Sequence, residues 1–314
     1  MKKILLAFLL LGLLGGWVEK PNEKEKTEVS LANLKEAEIY YNKGNTKFDL
    51  NDFEGAISDF NKAIELNPDF TYAYVFRGLV KVRLKDFEEG ILDYNKAIEL
   101  DPKYALAYYN RGNAQNSLKK YNEAILDFNK AIELDPEDTD AYYNRGNAQN
   151  SLKKYNEAIL DYNKAIELDP ENSPVYNNRG NTQNSLKKYN EAILDFNKAI
   201  ELDPENSSAY NNRGIAKADL EYYKDAILDY NKAIKLNPKY AKAYYNRGIV
   251  KHDLKNYIGA ILDYHKAIKL NPKYAKAYYN RGIARYKLKN YIGANSDFKK
   301  ANELNPELKN PYKD

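Results

Sequence analysis

Glycine recurs at positions 44, 78, 112, 146, 180, 214, 248 and 282, every 34 residues without a slip. Proline keeps the same period at 68, 102, 136, 170, 204, 238, 272 and 306, always twenty-four residues after a glycine. A fixed period of this length marks stacked supersecondary units, each touching its neighbours, rather than a single irregular core. The length of 314 residues alone would suggest about two domains of ~150 residues. The period overrides that expectation. Eight units run from 37 to 308 with no insertion: 37–70, 71–104, 105–138, 139–172, 173–206, 207–240, 241–274 and 275–308.

Within 105–138, apolar and aromatic residues return at helical spacing in two blocks. The first carries Ala107, Tyr108, Gly112 and Leu118; the second carries Ala124, Ile125, Phe128, Ala131, Ile132 and Leu134. Lys119-Lys120 marks the break between them. Asp135-Pro136 ends the second block, because the residue before proline is pushed out of the α region. The same pair is expected to start the next helix, with Asp as cap and Pro in the first turn. Each unit therefore reads as a helical hairpin. Gly112 and Ala124 are expected to face each other and let the two backbones approach.

These residues, Gly112, Ala124, Phe128, Ala131 and Pro136 with their counterparts every 34 positions, resemble the tetratricopeptide repeat family over 37–308. Tyr108 stands where the family signature often has tryptophan. The resemblance implies an all-α fold, a right-handed α-solenoid of eight antiparallel helix-turn-helix hairpins. It also implies a concave groove lined by the first helix of each pair, and a protein-binding, non-enzymatic role.

The chain departs from the family pattern in two places. The residue before the glycine is basic in every unit (Lys43, Arg77, Arg111, Arg145, Arg179, Arg213, Arg247, Arg281) where the family has leucine. The residue three after it is Gln, Lys or Arg where the family has tyrosine. Unit two carries Gly90 for the usual alanine. Eight aspartates, fifteen residues after each glycine, match the basic series: Asp59, Asp93, Asp127, Asp161, Asp195, Asp229, Asp263 and Asp297. An ion-pair ladder is expected, half-exposed and worth about 0–1 kcal/mol per pair. Its stronger effect is on register.

Composition excludes most chemistry. The chain has no cysteine, so disulfides, thiol nucleophiles and cysteine metal sites are absent. Its two histidines, His252 and His265, stand thirteen apart and match no metal motif; they read as surface residues. All twelve glycines beyond the leader recur at repeat positions, which leaves no phosphate-cradling loop. No enzyme activity, metal or cofactor is expected. Thirty tyrosines, by contrast, must be used in series.

Asparagine stands two before the glycine in seven units: Asn42, Asn110, Asn144, Asn178, Asn212, Asn246 and Asn280, with Phe76 the exception. One step earlier come Tyr41, Tyr109, Tyr143, Tyr245 and Tyr279, with Val75, Asn177 and Asn211 breaking the series. The family resemblance places these positions in the groove, where an asparagine ladder can pair with the backbone of an extended peptide. The competing reading is that Tyr-Asn is simply family consensus. Lys242 and Lys276 add cations at the groove entrance. The family's carboxylate clamp needs lysine where Tyr41, Tyr109 or Tyr245 stands, so that activity is not carried over.

Units one to five sum to a charge of −9 and units six to eight to +11, a polarity hidden by the net +4. The basic end offers an alternative role in binding nucleic acid or an anionic surface. Opposite ends also allow head-to-tail self-association. Residues 1–18 read as a signal peptide or N-terminal anchor: Lys2-Lys3, then an apolar run from Ile4 to Val18, too short for a ~30 Å hydrocarbon core. Exported, periplasmic or envelope-associated location follows, with cytoplasmic residence the alternative; export disfavours nucleic acid as partner. Residues 19–36 read as a charged linker. In the eighth unit Asn295, Ser296 and Asn302 replace apolar residues, so that hairpin is expected to cap the array, ahead of a short tail at 309–314.

Overall fold

The computed structural model describes residues 23–312, with side chains from residue 30. The signal-peptide reading of 1–18 lies outside the described residues. Those described form sixteen α-helices and no strand, the all-α helical-repeat solenoid expected. The chain divides at Leu118/Lys119 into two compact units. The first holds α1 (Glu23–Asp49), α2 (Phe53–Leu66), α3 (Thr71–Arg83), α4 (Phe87–Leu100) and α5 (Ala105–Ser117). The second holds α6 (Tyr121–Leu134), α7 (Thr139–Ser151), α8 (Tyr155–Leu168), α9 (Ser173–Ser185), α10 (Tyr189–Leu202) and α11 (Ser207–Asp219). It continues through α12 (Tyr223–Leu236), α13 (Ala241–Asp253), α14 (Tyr257–Leu270), α15 (Ala275–Lys287) and α16 (Tyr291–Leu304). The division falls inside the third repeat.

The expected tether at 19–36 is helical from Glu23 onward, continuous with the first repeat. Glu and Lys are both good helix formers, and a helix once nucleated extends at little cost.

Each hairpin turn rests on one backbone device. First helices end in a leucine followed by a residue at positive φ: Asn51, Lys85, Lys119, Lys153, Lys187, Glu221, Lys255 and Lys289, at 60° to 69°. Lys154 N–H reaches back to the Gln149 carbonyl at 2.9 Å and Lys153 N–H to that of Asn150 at 2.9 Å, the double closure of a Schellman end. None of the eight is glycine, so each carries a left-handed backbone on a residue with a Cβ.

The Asp-Pro and Asn-Pro pairs end the second helices as expected, the C-cap Asp135 being extended at φ −135°. They do not start the next helix. Asp135 Oδ1 instead accepts from Glu137 N–H at 3.2 Å, making a turn, and α7 begins only at Thr139 with Asp138 as its cap. Tyr176 ties the turn down, its hydroxyl donating to the Pro170 carbonyl at 3.2 Å.

The core is a column of alanines with one ring per repeat: Phe60, Tyr94, Phe128, Tyr162, Phe196, Tyr230, Tyr264 and Phe298 are all buried. The glycine two turns along each first helix makes room for that ring and not chiefly for the alanine twelve residues on. A Cβ on Gly146 would lie 2.8 Å from Tyr162 Cε1, and one on Gly214 2.7 Å from Tyr230 Cε1. Gly90 has its own cause, since a Cβ there would sit 2.6 Å from Val82 Cγ2.

At the far end Asn295, Ser296 and Asn302 are exposed. The tail folds back over this polar hairpin: Asn310 Nδ2 donates to Asn295 Oδ1 at 3.1 Å, and the Tyr312 ring stacks on Tyr286 at 3.6 Å.

Candidate interaction groove

Within each unit, successive first helices touch one another: α1 with α3 and α3 with α5, then α7 with α9, α9 with α11, α11 with α13 and α13 with α15. Among the described residues, successive second helices make no such contact within either unit. First helices therefore lie on the inner side of the local curvature, and residues on their free face line a groove.

The basic residues of the first departure do not face that groove as free cations. In six repeats the arginine fork closes on the aspartate sixteen residues later. Arg77, Arg145, Arg179, Arg213, Arg247 and Arg281 place Nε 2.8–3.0 Å from Oδ2 of Asp93, Asp161, Asp195, Asp229, Asp263 and Asp297. Nη2 stands 2.5–2.6 Å from Oδ1 of the same carboxylates. These pairs are buried, not half-exposed: the aspartate side chains are 3–7% accessible. Removing one partner would strand a charge in the interior, so each pair matters far more than a surface bridge.

The remaining arm of the fork reaches the preceding repeat. Nη1 donates to Asn61, Asn95, Asn129, Asn163, Asn197 and Asn231, each sixteen residues before its arginine, at 2.5–2.7 Å. A tyrosine three residues earlier lies under each guanidinium, 5.4–5.6 Å from ring centre to Cζ, as Tyr142 does for Arg145. One side chain thus joins three helices. His265 takes the asparagine's place for Arg281, its Nδ1 3.3 Å from Nη1, while His252 lies against Tyr257 with its Nε2 buried. His265 is exposed, as expected of a surface residue, and His252 is half-buried.

The first repeat breaks the rule. Lys43 lies over Tyr40, and Asp59 is paired instead by Lys47 at 2.6 Å. The second departure explains that substitution. Lys81, Lys217, Lys251 and Arg285 stand at the corresponding position and give Asp93, Asp229, Asp263 and Asp297 a second cation at 2.7–2.9 Å.

The asparagine ladder is formed, and it is partly spent on the array itself. Asn178 Nδ2 donates to the Tyr143 hydroxyl at 2.9 Å and to Asn147 Oδ1 at 2.9 Å. Asn212 donates to Asn177 at 3.2 Å, Asn246 to Asn211 at 3.0 Å and Asn280 to the Tyr245 hydroxyl at 3.0 Å. Each rung therefore meets the residue thirty-five positions earlier, which joins the Asn and Tyr series into one network. Asn211 and Asn177 are acceptors in the series that tyrosine otherwise supplies, not breaks in it. Val75 is a true break: the Asn110 amide is buried and its Nδ2 has no partner. Asn144 and Tyr109 are also engaged. Asn42 is exposed.

The tyrosines are half-buried and packed against neighbouring rings, edge to face for Tyr41 and Tyr279 and tilted for Tyr143 and Tyr245. Tyr143 lies 6.2 Å from Tyr162, Tyr245 4.7 Å from Tyr274, Tyr279 5.7 Å from Phe298 and Tyr41 5.5 Å from Phe76. Burial pushes the Tyr41 and Tyr245 hydroxyls above their ordinary range, so both remain neutral donors. Tyr41 and Asn42 line a cleft of about 450 Å³ with Phe70 and Tyr72. Lys242 and Lys276 are exposed in the first turns of α13 and α15. Among the described residues no group of His, Cys, Asp or Glu could hold a metal, and no helix is long and apolar enough to cross a membrane.

Sequence reasoning missed Asp219, Asp253, Tyr230 and Tyr264, which line two smaller cavities between first helices. The signal was present as Ile215 and Ile249 in place of asparagine, with an aspartate four residues further on.

Stacked hairpins with this glycine–ring packing define a helical-repeat protein, and the chain belongs to the tetratricopeptide repeat family. The tetratricopeptide repeat models match 37–70, 105–138, 139–172, 173–206 and 275–308, and a related TPR repeat model matches 78–117, 218–255 and 250–289. No curated protein matches the sequence significantly. Among solved structures, the chain is similar to YrrB, described as a TPR protein with an unusual peptide-binding site. The two share 29% identity over 59% of this chain and 95% of that one, with a TM-score of 0.52. A tetratricopeptide repeat protein from Parabacteroides merdae aligns at 20% identity over 80% and 99% of the two chains, TM-score 0.63. The Cut9–Hcn1 assembly of the APC/C aligns at 19% identity over 81% and 50%, TM-score 0.61. The last two show the fold alone.

Proposed function

We propose that the chain is a non-enzymatic interaction scaffold whose inner groove binds an extended peptide or protein segment. The observation that carries this reading is the state of the asparagine ladder. Asn178, Asn246 and Asn280 spend Nδ2 on the neighbouring repeat, and their Oδ1 atoms accept nothing among the described residues. Carbonyls spaced by two repeats and then one suit the N–H groups of an extended backbone, and they do so without regard to sequence. The packed tyrosines add flat contact area with little entropy to lose. The likeness to YrrB, a peptide-binding TPR protein by its description, favours the same reading. Exported location is part of the proposal, supported by Lys2-Lys3 and the apolar run to Val18; fractionation of the native host tests it.

Panning a random dodecapeptide library on the full chain tests the groove. Peptides should be enriched, and Asn178→Ala with Asn246→Ala and Asn280→Ala should weaken them about tenfold or more while the array stays helical. Enriched peptides indifferent to all three changes would move binding elsewhere. The exposed Lys235, Lys239, Lys269 and Lys273 favour a second reading, an anionic surface, whose signature is steep loss of binding with salt.

A further inference from the structure

Tyr162 and Tyr230 occupy the same position in repeats four and six, but only one is satisfied. The Tyr162 hydroxyl donates to Asn147 Oδ1 at 2.9 Å. In repeats six and seven that asparagine is Ile215 and Ile249, so Tyr230 and Tyr264, each 1% exposed, have no hydrogen-bond partner for their hydroxyls among the described residues. Both tyrosines line a cavity. Tyr230 lines one of about 110 Å³ with Ile215, Ala218, Asp219, Asn246 and Ile249. Tyr264 lines its counterpart of about 180 Å³ with Ile249, His252, Asp253, Asn280 and Ile283. The two are the same construction displaced by 34 residues. Each lies between neighbouring first helices, beside a ladder asparagine.

Asp219 and Asp253 share this position with Asp49 of the first repeat, whereas repeats three to five have Ser117, Ser151 and Ser185. Both aspartates are exposed; Asp219 has no cationic partner among the described residues and partial burial pushes its carboxyl up, whereas Asp253 Oδ1 lies 3.4 Å from His252 Nδ1. Each cavity is therefore lined by an aspartate, a tyrosine whose hydroxyl has no hydrogen-bond partner among the described residues, a ladder asparagine and isoleucines. Those groups ask for a donor-rich cation on a methylene stem. Of the cations of these repeats, Lys235, Lys239, Lys269 and Lys273 lie on second helices and the turns after them, Lys217, Lys251 and Arg285 are paired with Asp229, Asp263 and Asp297, and Lys242 and Lys276 stand in the first turns of α13 and α15.

We propose that the two cavities are lysine-receiving pockets, which take successive basic side chains of the peptide bound along repeats six to eight. The proposal rests on the groove reading above and adds to it a sequence requirement. The ammonium meets Asp219 or Asp253 and the Tyr230 or Tyr264 oxygen, and the stem lies along Ile215, Ile249 or Ile283.

Panning the dodecapeptide library on the full chain and on the Asp219→Asn, Asp253→Asn double variant tests it. Peptides selected by the wild type should be rich in lysine, and the variant should select without that bias. The best synthetic peptide should lose at least about tenfold in affinity when its lysines become norleucine, a readout that needs no variant to fold. Enriched peptides without lysine, or equal binding of the norleucine peptide, would overturn the pockets and leave the groove reading standing. No enrichment on the wild type would overturn both.

Discussion

Arg145 and Asp161 meet fork to carboxylate, Nε to Oδ2 at 2.8 Å and Nη2 to Oδ1 at 2.6 Å, while the third arm of the same guanidinium holds Asn129 of the repeat before. Replacing the family's leucine by this residue turns a packing contact into a three-helix joint. The aspartate is interior, so the cost of breaking the joint is set by the charge left behind.

Arg179→Ala should accordingly destabilise the second unit by about 3–5 kcal/mol, seen as a lower urea midpoint. Changing Arg179 and Asp195 together to leucine should cost much less, since no buried charge is stranded. Equal losses in the two proteins would mean that the pair is not electrostatically coupled.

Gly146→Ala offers a test of sign. Helix propensity alone predicts a gain of about 1 kcal/mol. The new Cβ, however, would fall 2.8 Å from the Tyr162 ring, and overpacking of that kind costs about 1–3 kcal/mol. A net loss is expected by thermal melting, relieved when Tyr162 is shortened to leucine in the same chain.

Lys187 has φ 60° at the end of α9. Lys187→Gly should stabilise by about 0.5–1 kcal/mol, because the left-handed backbone no longer opposes a side chain. Chemical denaturation reads this directly. A loss would show that the lysine stem contributes packing that outweighs its backbone strain.

The Asp219 carboxyl is raised by burial. A carboxyl whose folded-state value lies above its unfolded one is destabilising when ionised, and the penalty fades as pH falls through the folded value. Asp219→Asn should therefore stabilise the free protein at neutral pH, with the difference closing in the carboxylate range. Melting curves at pH 7 and pH 3 make the comparison. Added lysine peptide should reverse the order at neutral pH.

The repeat count, the hairpins and the arginine–aspartate pairing were legible from residue spacing, because a 34-residue period fixes which side chains share a level. Three things were not. Which atoms fill the gap at Gly146 depends on the depth of the Tyr162 ring, which spacing alone does not give. The start of α7 depends on a turn closed by Asp135 Oδ1, where the Asp-Pro signal fits a helix start equally well. The cavities required comparing repeats with each other: an isoleucine where another repeat has asparagine looks conservative for packing, yet it removes a hydroxyl's only partner. Glu23 to Glu36 misled for a simpler reason, since charge alternation suits a solvated helix as well as a tether.

The three-armed arginine also bears on how such a chain can lengthen or shorten. Each fork draws one partner from sixteen residues behind and one from sixteen ahead, and repeats four and five offer the same Asn, Arg and Asp at those offsets. Excising 34 residues between them would bring together ends that already complement each other, so every joint at the new seam closes as before. Gene-level loss or duplication of a whole period between repeats four and five therefore preserves these joints, whereas a change of any other length leaves a guanidinium and a carboxylate facing the wrong neighbours.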